Sequence, residues 1–130
     1  MATYQEIMVR TQRAAADLRL MRHHIMRVAT APDLVNISSD RSATHINGPI
    51  GVLQNKPNSL QHASIGYFGV SKVTVGAATT ANAFLTTNGS GRAINAVSGD
   101  IIVGKGLEAG GADGDVISML IYPPITIHRT

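Results

Sequence analysis

Five histidines, a Gly104-Lys105-Gly106-Leu107-Glu108-Ala109 run and an Asp113-Gly114-Asp115 turn are the groups from which this chain could build chemistry. The histidines are His23, His24, His45, His62 and His128, and no two stand at the H-E-x-x-H spacing that aims two imidazoles at one zinc ion. The glycine run matches the dinucleotide pattern G-x-G-x-x-A. That pattern binds a pyrophosphate when a helix starts at the glycines and turns its N-terminus to the phosphates. Gly110-Gly111 and Asp113-Gly114 stop such a helix. Lys105 is followed by neither Ser nor Thr, as a phosphate-loop lysine must be. Asp113 and Asp115 could open a calcium loop, but Met119 and Leu120 stand where further acids are needed, so a turn is expected. Without cysteine the chain has no disulfide, thiolate metal site or cysteine nucleophile. It has no G-x-S-x-G elbow either. Asn36-Ile37-Ser38 and Asn88-Gly89-Ser90 match the glycosylation sequon, which carries little weight without a secretory signal. The expectation is a binding or structural protein, not an enzyme. It needs no cofactor, metal or small-molecule substrate.

The elements that would position any site are short strands. β-Branched and apolar runs occupy 50–54, 64–75, 84–86, 93–96, 101–107 and 116–122. Turn-forming clusters separate them: Asn55-Lys56-Pro57-Asn58, Gly76-Ala77-Ala78, Asn88-Gly89-Ser90-Gly91, Ser98-Gly99-Asp100 and the stretch 110–115. Such spacing predicts a mainly β domain, a small antiparallel barrel or sandwich. Gly66, Gly69, Gly104 and Gly106 fall inside the runs and predict bulges or close backbone approach, the devices that let a small sheet curl. In the last run Val116, Ser118 and Leu120 alternate with Ile117, Met119 and Ile121. A strand apolar on both faces is expected at the centre of a sheet or in an interface. With two Phe and three Tyr among 130 residues, the core must be aliphatic and modest, so oligomerisation is a plausible source of added stability.

Charge is placed unevenly. The first 28 residues carry Arg10, Arg13, Arg19, Arg22 and Arg27 against Glu6 and Asp17, while the remaining residues are balanced. The same segment spaces Ile7, Ala14, Leu18, Met21, Ile25 and Val28 by threes, fours and sevens, which makes one stripe on a helix. Thr3 and Glu6 fit a capping box, and Pro32 closes the pattern. The reading is an amphipathic helical arm over 1–30, a connector over 31–47 holding one short strand around Leu34, Val35 and Ile37, and a β body over 48–130. The stripe packs on its own body or on another protein. The five arginines are candidate contacts to an acidic surface, and the arm should be removable without unfolding the body. No apolar run is long enough to span a membrane, and the N-terminus lacks the basic-then-apolar order of a signal peptide. The arm has almost no aromatic residue to stack on bases, so nucleic acid is a weak partner.

An ordered series of short motifs adds a family resemblance. Gly51-Val52-Leu53-Gln54-Asn55-Lys56-Pro57 is followed by Gly69-Val70-Ser71-Lys72-Val73, then by Thr86 through Ala93 with its Gly91-Arg92-Ala93 end. Gly104 through Ala109 and Gly114 through Ile121 complete the order. Over about residues 48–122 this resembles the capsid cement, or decoration, proteins of tailed bacteriophages. The resemblance implies a β-tulip-like domain that binds the outer surface of a mature head as a homotrimer. It further implies the major capsid protein as partner, neighbouring capsomers as the things fastened, and a stay in the host cytoplasm during assembly. Candidate trimer contacts are Val116, Ser118, Leu120 and Tyr122. Two other classes fit the residues: a trimeric tail or receptor-binding component, and a nucleic-acid-associated protein acting through the basic arm.

Overall fold

The computed structural model describes residues 7–29, 33–39 and 49–121. All regular structure among them is β. The strands are β1 (Ile7–Ala14), β2 (Ile25–Val28), β3 (Leu34–Ile37), β4 (Gly51–Leu53), β5 (His62–Thr74), β6 (Phe84–Thr87), β7 (Ala93–Asn95), β8 (Gly104–Gly106) and β9 (Val116–Ile121). The six runs expected from residue 50 onward each overlap a strand, and the short strand of the connector is β3.

Among the described residues the expected helical arm is absent. Residues 7–14 form β1, which pairs with β5 from Ile7↔Gly69 to Arg13↔His62, and residues 25–28 form β2. Helix propensity is a weak prior, and a long cross-strand ladder overrides it. The stripe mixes residues that are buried for other reasons. Ala14 ends β1 and Leu18 lies in the following turn, both packed in one core, with Met21 partly buried against it. Ile25 enters a second core from β2, with Ile7 packed on its edge, and Val28 is exposed. The capping residues Thr3 and Glu6, and Pro32, lie outside the described residues.

Strand order is β1-β3-β2-β4-β5-β9-β8-β6-β7, and β1 also pairs with β5. The path β1-β3-β2-β4-β5 therefore returns on itself. The ring is irregular, not a clean barrel: the β1–β3 contact is parallel and short, and the β1–β5 register shifts between Met8 and Val9. The second half of β5 continues into β9, β8, β6 and β7. A single parallel bridge, Val75↔Ala93, brings β7 back toward the end of β5.

Two cores result. Ala14, Leu18, Met26, Val35, Leu53, Ala63 and Ile65 fill the first ring. Val73, Val75, Leu85, Ala93, Val103, Ile117, Met119 and Ile121 fill the other half, joined by Ile25 and Val52. Side chains alternate across a strand. β2 thus sends Ile25 one way and Met26 the other, and β4 does the same with Val52 and Leu53. Glycine permits the close approach between β4 and β5, since a Cβ on Gly51 would collide with the Gly66 carbonyl oxygen.

The turn clusters are built as their composition implies. The Asn55 side chain clasps β5, donating to the His62 carbonyl at 2.9 Å and accepting from the Ser64 N–H at 3.0 Å. Asn88 Oδ1 accepts from the N–H groups of Ser90 and Arg92, and Gly91 sits at φ 74°. Asp115 Oδ2 accepts from the N–H groups of Gly111 and Ala112, with Gly114 at φ 96°. The Asp113-Gly-Asp115 segment is thus a hydrogen-bonded turn. Gly104 and Gly106 lie in β8, which pairs with β9 and β6, so no helix starts at this G-x-G.

Candidate attachment surface

The five arginines decorate the first ring without forming one stripe. Arg10 and Arg13 are exposed on β1, and Arg13 Nε lies 3.6 Å from Asp33 Oδ2. Arg19 is held inside its own turn. Its Nη2 donates to Asp17 Oδ2 at 2.7 Å, its Nε to Asp17 Oδ1 at 2.9 Å, and its backbone N–H to the same oxygen at 3.1 Å. These hydrogen bonds from Arg19 lower the Asp17 pKa to about 2 and raise that of Arg19. The pair is solvent-exposed, so it shapes the turn more than it stabilises the fold. Arg22 is exposed beyond it, and Arg27 is half-buried on β2 with Nη1 donating to the Val28 carbonyl at 3.2 Å.

A groove of about 870 Å³ opens beside β1. It is lined by Met8, Val9, Arg10 and Gln12 of β1, by Ile65, Tyr67 and Phe68 of β5, and by Val28, Asp33 and Ile50. Its origin is the register shift. Met8 opposes Phe68 and Val9 opposes Gly66, which leaves Tyr67 as the extra residue of a bulge. In a regular strand one of two neighbouring aromatics would turn inward. Here both stand outside, Tyr67 at 38% and Phe68 at 51% exposure. None of the described aromatic residues is buried, since Phe84 is exposed as well, lying 5.9 Å from the Lys105 ammonium. The sequence pattern puts Tyr67 and Phe68 within the run 64–75 and assigns them no role. Their adjacency between Gly66 and Gly69 was the available signal.

The proposed trimer contacts lie on β9, central between β5 and β8. Val116 is exposed, Ser118 and Leu120 are half-buried, and Ile117, Met119 and Ile121 face the core. Tyr122 lies outside the described residues. His62 is exposed, whereas His24 is buried between two hydrogen-bonding neighbours. Arg92 Nε donates to His24 Nε2 at 3.4 Å, and His24 Nδ1 lies 3.3 Å from the Arg22 carbonyl oxygen. Arg92 Nη1 also donates to Asp113 Oδ1 at 2.6 Å. Among the described residues no group of three or more His, Asp or Glu side chains is placed to hold a metal ion. His45 and His128 lie outside them.

Comparison with known proteins gives a fold. No family model matches the chain, so the cement-protein resemblance stands on its motif series alone. No curated protein matches it either. Among solved structures the chain is similar to the head fiber gp8.5 N base of bacteriophage phi29. The TM-score is 0.67 at 16% identity, over 96% of this chain and 100% of that one. At that identity the likeness shows a shared fold, traced through nearly every residue of both chains.

Proposed function

We propose that this chain is a structural virion protein of a bacteriophage, bound to the outside of the mature head. In this reading it acts as a homotrimer on the major capsid protein and fastens neighbouring capsomers. The observation that carries the reading is the end-to-end likeness to the base of a phage head fiber. The ordered motif series of residues 48–122, which resembles cement proteins, points to the same place on the particle. Physical chemistry favours it too. A surface groove, exposed arginines and two aliphatic cores serve adhesion, and many copies of a modest contact around a closed shell give strong overall attachment. The basic-arm reading loses its structural basis, because residues 7–28 are strands and turns of the body.

Purified chain mixed with mature heads should co-sediment with them, and imaging should show added density at three-fold positions of the outer surface. Binding to tails with bare heads would instead support the tail-component reading. Binding to neither particle would remove the virion assignment.

A further inference from the structure

We propose that the groove beside β1 and β5 is where one copy of this chain receives another, the exposed Tyr67 and Phe68 of one copy seating in the groove of the next. The first argument is composition. The whole chain has five aromatic residues, and two of them stand side by side on the surface with Met8 and Val9 beside them. A chain that short of aromatic side chains gains nothing in its core from these two. Aromatic, methionine and arginine side chains are the types enriched where proteins meet. Met8, Val9, Tyr67 and Phe68 all line one groove and all keep a third or more of their surface exposed.

The second argument is charge. Arg10 and Asp33 both line the groove, so it carries charges of both signs. An acidic capsid surface calls for a rim of a single positive sign. A rim carrying both signs is complementary to a rotated copy of itself, with Arg10 of one copy facing Asp33 of the next. Such a head-to-tail contact closes into a ring under a three-fold rotation. Among the described residues Asp33 is paired with Arg13 at the long distance of 3.6 Å.

This deepens the trimer proposed above by giving it a surface, and rests on that reading only for the number of copies. Self-association is therefore measured without heads, by sedimentation of the full chain, and head binding is measured separately. Tyr67→Ser with Phe68→Ser should weaken self-association about thirtyfold, the effect of losing one hot-spot anchor. A wild-type-like far-UV spectrum would show that the variant folds. Arg10→Asp and Asp33→Arg should each weaken association, and the two together should restore it. Val97→Ser, at an exposed position after β7, serves as the control and should keep the wild-type mass. A wild-type chain that stays monomeric overturns the proposal, as does an aromatic variant with undiminished association. Failure of the double charge exchange to recover what the single exchanges lose also overturns it. Loss of head binding by variants that keep the wild-type mass would assign the groove to the capsid and overturn it as well.

Discussion

The Asp113–Arg92–His24 chain shows how individual side chains set the conditions under which this fold holds. His24 accepts from Arg92 through Nε2, so its proton belongs on Nδ1, directed at the Arg22 carbonyl oxygen. Burial, ahead of the neighbouring Arg92 charge, pushes its pKa below the ordinary histidine value. His23 is shifted the same way, by burial first and then by Arg22, Lys72 and His24. Both groups thus take up a proton less readily in the folded chain than in the unfolded one. Above an ordinary histidine pKa of about 6.5 the unfolded chain is neutral too and stability is full. As pH falls below that, the unfolded chain takes up protons first and stability declines until the folded-state pKa values are reached. The denaturant midpoint should therefore drop between about pH 7.5 and pH 5.5, and His24→Gln should flatten that drop. An equally steep decline in His24→Gln would assign the effect elsewhere. A second side chain works against the fold. Thr86 is fully buried with its Oγ1 unpartnered. Thr86→Val keeps the shape and removes the stranded hydroxyl, so it should raise stability by about 1 kcal/mol in denaturant unfolding.

At the scale of elements, the chain's two halves differ in how openly they are written. The strands after residue 50 are marked locally, by β-branched runs ending at Asn, Gly and Asp turns whose side chains make the turn hydrogen bonds. β1 and β2 carry no such marks. Ile7, Val9 and Thr11 alternate as in a strand, yet Ala14, Leu18, Met21 and Ile25 continue at helical spacing, and no turn signal separates them. What decides is β5, some fifty residues away, whose ladder with β1 no local window contains. The same distance hid the site. Tyr67 is left outside by a register shift against Met8 and Val9, which depends on pairing and not on local pattern. The consequence is testable. β1 and β2 are walls of the first ring and supply Ala14, Ile25 and Met26 to the cores. Deleting residues 1–30 should therefore abolish cooperative unfolding and amide dispersion. A truncated chain with a native-like amide spectrum would restore the picture of a detachable arm.

The whole molecule has two cores but few means of unfolding one of them alone. β5 runs the full length between them, with Ala63 and Ile65 in the first and Val73 in the second. β2 and β4 each place consecutive residues in different cores. The junction is also tied by backbone hydrogen bonds, from Ile25 to the Gly91 carbonyl at 2.6 Å and from Thr74 to the His23 carbonyl at 2.9 Å. Opening either core would strand apolar side chains of β2 and β4 in water, and each large one is worth about 1.5–3 kcal/mol. The two halves should therefore melt as one unit. Ile65→Ala in the first core and Val73→Ala in the second should each lower one shared transition, Ile65→Ala by about 2–5 kcal/mol and Val73→Ala by somewhat less. Amide protection in β6 and β8, far from Ile65, should fall in parallel with that in β1 when Ile65 is truncated. If β6 and β8 keep wild-type protection while β1 exchanges freely, the halves are separate folding units, and the shared walls do not couple them.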